Sequence, residues 1–260
     1  AVDILPANEQ GQMNGLMWGS KLIGKGIGAW SLSLILNKWG IEACMAVQIV
    51  ILLLIMLIPI LMLEREGERR FPWSSGRASG SGASNMRNPL EVFRSFIKAF
   101  SLTTTLAYAL FTLSNLIGSG INEVITKTLY TQHLNPVWTD VEYSTASGLY
   151  AMGTIIVGAV LGGILGDRFG RRKILMFGFG GYGLVALFFA ASPGMWNERW
   201  FAMTYLLSFE TLNAIASVGF LSMAMRISWS SSAAIVFTTY MTLSNVSHVC
   251  GNWLAGPVRQ

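Results

Sequence analysis

Apolar residues fall into seven long runs along this chain, at roughly 14–36, 41–63, 100–130, 144–166, 174–191, 200–225 and 232–256. A membrane-spanning helix needs about 20 mostly apolar residues, so each run predicts a span. Between the fourth and fifth runs the polar interval shrinks to a short hairpin. It carries one acid, Asp167, and four bases, Arg168, Arg171, Arg172 and Lys173. A turn that tight between two apolar runs predicts a packed helix pair with its charges at the membrane surface.

Composition agrees with the pattern. Apolar residues make up 52 % of the 260 residues and charged residues only 12 %, whereas an ordinary soluble domain carries about 25 % charged residues. The fold class is therefore an all-α membrane protein. The net charge of +5 does not predict a nucleic-acid partner, because the bases sit in short loops between apolar runs. Cys44 and Cys250 lie inside apolar runs and predict free, buried thiols. Neither disulfide nor metal-ligand spacing is present.

The loops alternate in basic charge. The segment from Glu64 to Ala99 holds Arg65, Arg69, Arg70, Arg77, Arg87, Arg94 and Lys98; the hairpin adds four bases, and Arg226 follows the sixth run. The opposite side has Lys38 and Arg199, with Lys127 near its edge. The positive-inside rule then predicts that the twelve bases face the cytoplasm. Ala1 is expected on the cytoplasmic side and Gln260 near the outer face, in a plasma (inner) membrane. The chain starts without Met and has no signal-peptide layout, so it is expected to be a piece of a longer protein. Ser74 to Ser84, rich in Ser and Gly, predicts a flexible linker. Pro89 to Ala99 places Val92, Phe93, Phe96 and Ile97 on one side and Arg94 and Lys98 on the other, which predicts a short helix lying on the membrane. The expected organisation is two spans over 1–63, a cytoplasmic linker over 64–99, and five spans over 100–260.

Small residues at every fourth position let membrane helices approach closely. Gly15, Gly19, Gly24 and Gly28 in the first span, and Gly158, Gly162 and Gly166 in the fourth, have spacing of this kind. They predict either generic packing or a contact between these two spans.

Charges inside the spans need partners or a water-filled cavity, because an ionised group at mid-bilayer costs about 2.5–3.5 kcal/mol on insertion scales. Glu210 lies midway along the sixth span, beside Asn213. It is either a protonated acid bonded to a neighbouring helix or a cavity-lining acid that binds a proton or a cationic substrate group. Glu123 and Lys127, one turn apart in the third span, suit a local ion pair or a gate. That span would be about 46 Å of helix at 1.5 Å per residue, against about 30 Å of hydrocarbon. A break is expected at Gly118-Ser119-Gly120, and interrupted helices often mark a substrate path. Lys21 and Lys25, near Trp18 and Leu22, either reach the cytoplasmic surface or form an anion-attracting cavity wall. His248 and Asn245 lie on the seventh span, where His248 is either a helix–helix hydrogen-bond partner or a proton carrier. There is no P-loop, dinucleotide-binding glycine pattern, zinc spacing or nucleophile elbow. Nor do His133 and His248 make the acid-paired pattern of a membrane acyltransferase. Neither cofactor nor catalytic residue is expected, and the chain does not read as an enzyme.

The hairpin resembles the cytoplasmic signature G-x-x-x-D-R-x-G-R-R of the major facilitator superfamily. Gly163, Asp167, Arg168, Gly170, Arg171 and Arg172 match it. The long basic linker resembles the connection between that superfamily's six-helix halves. By this resemblance the first two spans are helices five and six, and the last five are helices seven to eleven. Within the superfamily, Asp3 to Pro6 with Glu9 to Gly11, Glu210, and Phe237, Leu243, Asn245, Gly256 and Pro257 resemble the peptide/acetyl-coenzyme A transporter group, which includes the muropeptide permease AmpG. Ile235-Val236 stands where that group has Thr-Gln, and its helix-seven lysine has no match around Asn115, so the substrate stays open.

The resemblance implies a secondary active transporter for a small molecule, working by alternating access, with the lipid bilayer and a coupling proton as partners. It would be a monomer when full length. A non-transporting sensor or scaffold that kept the fold is the alternative. Expected cavity residues are Glu210, Asn213, Asn245, His248, Glu123, Lys127, Lys21 and Lys25. Asp167 is expected to cap the first span's N-terminal end near Gln10 to Gly15, with Arg171 bracing it, while the inside is closed.

Overall fold

The computed structural model describes residues 10–61, 89–228 and 233–258. Among them there is no strand. The helices are α1 (Gln10–Leu61), α2 (Pro89–Phe100), α3 (Thr103–Ser114), α4 (Ile117–Thr128), α5 (Asp140–Ser144), α6 (Ala151–Phe169), α7 (Arg171–Ala190), α8 (Arg199–Ile227) and α9 (Ala233–Val258). Single π-helical turns at Leu129–His133 and Thr145–Tyr150 follow α4 and α5. The fold class is the all-α one that the apolar runs predict.

Among the described residues, four stretches are long and apolar enough to cross a membrane: Gly19–Ile58, Asp140–Phe169, Arg171–Ala190 and Arg199–Ile227. The expected spans 100–130 and 232–256 are helical but are not among them. The first is split into two 12-residue helices. The second carries Thr, Ser, Asn and His along its length. The Arg- and Ser-rich linker lies outside the described residues except for α2. There, Phe93 and Ile97 stand exposed, as a helix on a membrane surface would hold them, and Phe96 packs on Phe100 at 4.6 Å between ring centroids.

By internal contacts the chain forms two compact units, Leu32–Arg94 and the remainder, Ala1–Ser31 with Ser95–Gln260. In the smaller unit, α1 is interrupted at Gly40, with φ 78° and ψ −177°. That positive φ suits glycine, which has no Cβ to clash. Cys44 Sγ lies 3.8 Å from the carbonyl oxygen of Leu32, whereas twelve residues of straight helix would separate them by about 18 Å. The chain therefore doubles back at Gly40, as two separate runs predict. Beyond the bend, Ile49 to Ile58 are exposed all round, the pattern of a helix bathed in hydrocarbon.

The larger unit is built around α8. Its middle is flanked by α6 and α7 at glycine contacts. A Cβ on Gly158 would lie 2.5 Å from the Thr211 carbonyl oxygen, and one on Gly178 would lie 2.5 Å from the Ala216 nitrogen. Gly162 adjoins Ile215, and Gly219 adjoins Leu175. Aromatic side chains fill the two ends. Phe189 stacks on Tyr205 at 3.9 Å, and Tyr108 packs against Phe220 at 5.6 Å and Tyr240 at 4.9 Å. The glycine rows thus work differently from the simple expectation. Gly158 and Gly162 meet α8, while Gly19, Gly24, Gly28 and Gly166 have nothing within 4 Å of a Cβ; the surroundings of Gly15 are not among those described. The first span does touch the chain leading into α6, but through Gly26 and Gly148. A Cβ on either would come within 3 Å of the other's carbonyl oxygen, at 2.9 and 2.7 Å.

The break in the third span is at Asn115-Leu116, not at Gly118-Ser119-Gly120. The reason is visible on α9 and α7. The Leu116 N–H donates to Ser247 Oγ at 3.0 Å, the Tyr182 hydroxyl donates to the Asn115 carbonyl at 3.4 Å, and Ser244 Oγ donates to Asn115 Oδ1 at 3.5 Å. A helix can open in lipid only where neighbours take up its freed backbone groups, and these neighbours sit at Asn115. The later glycines stay helical and serve packing instead. Gly120 lies under His248 and Asn252, and Gly251 lies against the backbone of Ile117. Cys250, expected to be buried, is exposed, while Cys44 is half-buried, because α9 turns Gly251 and Ala255 inward instead.

Two stability outcomes follow. Gly251→Leu forces α4 and α9 apart and costs about 1–3 kcal/mol, the usual penalty of overpacking, whereas Gly153→Ala, where space is open, stays within about 0.5 kcal/mol. Ser247→Ala strands the Leu116 N–H and costs about 1–3 kcal/mol. Melting midpoints in detergent check both, with Gly153→Ala as the reference.

Candidate functional site

α4 and α8 each turn a polar stripe toward the same space. On α4 the stripe is Asn122, Glu123, Thr126 and Lys127; on α8 it is Tyr205, Phe209, Glu210 and Asn213. Residues at i, i+1, i+4 and i+5 share one helix face, so each stripe is continuous. Lys25 and Gly26 of α1 close one side. Tyr143, Ser144, Ser147 and Gly148 close another. Together they enclose a cavity of about 270 Å³. That is just under the range of about 300–1,000 Å³ that houses drug-sized ligands, so the cavity suits a small solute.

The charges in and beside the cavity are arranged unevenly. Glu123 is held from two sides, by Lys25 Nζ at 3.4 Å and by His248 Nε2 at 3.0 Å. This joins α1, α4 and α9 at one carboxylate. The expected pair of Glu123 with Lys127 is not what forms. Lys127 instead lies 3.9 Å from Asp140. The cause is packing: Gly120 brings α9 onto α4, so His248 reaches Glu123 from α9, while Lys25 reaches it from α1.

Glu210 has no hydrogen-bond or ion-pair partner among the described residues, and the charges that act on it are those of Lys25 and Glu123. It is therefore not an acid bonded to a neighbouring helix; it lines the cavity. Asn213 lines it too. Lys21, Asn245 and His248 do not. Asn245 faces outward, and His248 acts only through Glu123.

Most lining residues were not among the expected ones, including the polar Asn122, Thr126, Tyr143 and Tyr205. The Tyr205 hydroxyl donates to Asn122 Oδ1 at 2.5 Å, and Thr126 Oγ1 donates to the same oxygen at 3.2 Å, so Asn122 is fixed in orientation. Helical spacing from Glu123 and from Glu210 is the signal that could have found Asn122, Thr126 and Tyr205. No local pattern marks Tyr143, which arrives from a different segment. That segment is positioned by a capping box: Thr139 Oγ1 accepts from the Glu142 N–H at 3.1 Å, and Glu142 Oε2 accepts from the Thr139 N–H at 2.8 Å. Arg199 at the start of α8 then clasps Glu142 at 3.0 Å.

The hairpin lies apart from the cavity. Gly170 joins α6 to α7 with φ 97°, a conformation that other residues rarely adopt. Asp167, Arg168 and Arg172 are exposed, and Gly163 has open space around it. Arg168 lies 5.9 Å from the Phe169 ring centroid. Arg171 does not brace Asp167; its Nη1 donates to the Ser222 carbonyl at 3.0 Å. The glycine contacts between α7 and α8 bring it there, near the C-terminal end of α8, which favours a cation. Asp167 has no partner among the described residues. The α1 start that it was expected to cap falls where side chains are not described. No group of His, Cys, Asp and Glu among the described residues could hold a metal ion.

No curated protein and no solved structure matches the chain. The sequence profile described as Major Facilitator Superfamily matches residues 1–252, nearly the whole length and both the hairpin and the cavity-lining helices. With its long apolar helices this makes the chain an integral membrane protein, and it belongs to the Major Facilitator Superfamily of membrane transporters.

Proposed function

We propose that this chain is part of a proton-coupled secondary transporter that moves a small solute by alternating access. The observation that carries the reading is Glu210. It is a carboxylate midway along α8, facing the cavity, with no contact partner among the described residues. A charge inside a membrane helix needs to be offset, and a proton arriving with or before the solute offsets it. We take residues 1–63 as the end of the N-terminal half, 64–99 as the cytoplasmic linker and 100–260 as most of the C-terminal half, in a plasma membrane with Ala1 cytoplasmic. The resemblance to the peptide/acetyl-coenzyme A group rests on Asp3 to Pro6 with Glu9 to Gly11, on Glu210 and on the helix-eleven residues. It brings no particular substrate with it.

Asp167 serves as the latch in this scheme. It sits in the last turn of α6, where the helix dipole disfavours an anion. A conformation that offers it a helix N-terminus is therefore favoured. Closing and opening of that contact on the cytoplasmic side would time access to the cavity.

Two outcomes test the scheme in full-length protein reconstituted into vesicles. Glu210→Gln abolishes uptake driven by a pH gradient while solute exchange at equal pH continues; unchanged pH dependence would reduce Glu210 to a structural residue. Asp167→Asn lowers the uptake rate by roughly tenfold, the loss of a cap worth about 1.4 kcal/mol, with normal membrane insertion. A mutant that transports at the normal rate refutes the latch.

A further inference from the structure

The two anchors on Glu123 are not equivalent. Lys25 is a cavity-lining residue, 68 % exposed at its side chain, and its contact with Glu123 is the longer one at 3.4 Å. His248 is the less exposed partner, at 31 %, does not line the cavity, and approaches to 3.0 Å. So the same carboxylate has one partner that solute can reach and one that it cannot. The remaining cavity base, Lys127, is held only at 3.9 Å by an exposed Asp140.

Counting charge shows what such a site accepts. With Glu210 carrying a proton, as the transport reading above requires, Lys127 is offset by Asp140 and Lys25 by Glu123. An entering cation that took Glu123 would leave Lys25 with no other ion-pair partner among the described residues. An entering anion would find Lys25 within reach. Taking Lys25 leaves Glu123 with His248 alone. A neutral imidazole hydrogen-bonds a carboxylate but does not balance its charge; an imidazolium does both.

We infer that the solute carries a carboxylate that takes Lys25 from Glu123, and that His248 binds a proton to hold Glu123 in its place. Solute binding and proton uptake are then one event, because each alone leaves an unbalanced charge among the helices. The other groups around the exchange are Glu210, Tyr143 and Tyr205, all on the cavity wall, and the Lys127–Asp140 pair beyond them. None of them reaches Glu123 as His248 does. In this account Lys25 is the solute-binding residue, and His248 is a positioning residue that acts through Glu123. The cavity of about 270 Å³ limits the solute to a small organic acid. The inference deepens the transport reading and rests on it for the protonated state of Glu210.

The test is ligand binding to the purified full-length protein in detergent, read as a shift in melting temperature. The probes are acetate, lactate, succinate and glutarate, each beside its neutral amide, with ethanolamine as a cation. At least one carboxylate raises the melting temperature, while its amide and ethanolamine do not. Lys25→Met weakens that binding at least tenfold, and Lys25→Arg restores it. In the wild type, affinity for the carboxylate rises as pH falls, because the proton bound by His248 accompanies the anion. In His248→Gln this pH dependence disappears. Equal binding of amides or ethanolamine, no binding by any carboxylate, or a pH profile unchanged in His248→Gln overturns the proposal. The transport reading fails separately: carboxylate binding in detergent without accumulation in vesicles leaves the anion site standing and removes transport.

Discussion

Hydrocarbon offers no hydrogen bonds, so each polar group that enters it must find a partner within the protein or line an aqueous space. This constraint explains where the structure departs from regular helix. The third span opens at Asn115-Leu116 because Ser247, Ser244 and Tyr182 lie alongside to pair with the Leu116 N–H and the two Asn115 oxygens. Glu123 is tolerated because two basic groups converge on it from two other helices. Glu210 lacks such partners and faces the cavity.

Close approach of helices is what makes these partnerships possible. Gly158, Gly162, Gly178 and Gly219 let α6 and α7 lie against α8 at backbone distance, and Gly120 and Gly251 do the same for α4 and α9. Where helices come that close, short side chains such as Ser247 reach a neighbour's main chain, and His248 reaches Glu123. The glycines and the polar contacts therefore support one another. The break in the third span is then free to place α4, with Glu123 and Asn122, at its own angle to the cavity.

The hairpin and the cavity divide the work. Gly170 sets a tight turn with a positive φ, and the bases around it stay at the surface, with Arg171 tied to the end of α8. Both features hang on α8: one at its C-terminal end, the other along its middle. A single helix thus connects the hairpin to Glu210.

Much of this was legible in the chain itself. Apolar runs of sufficient length predicted an all-α membrane fold, since the bilayer sets a minimum length, and the isolated acid at Glu210 stood out because such a charge is expensive. The hairpin was equally plain, because charge, glycine and proline-free apolar flanks are local properties. Partner choice was not local. Glu123 had Lys127 one turn away in sequence, yet Lys25 and His248, distant along the chain, are its partners. The break fell at Asn115 and not at the glycines, and Gly26 with Gly148 made the contact that more regular glycine rows suggested. Each of these was decided by which helix lies beside which. A sequence records the face that a residue occupies, but only the packed bundle determines what that face meets.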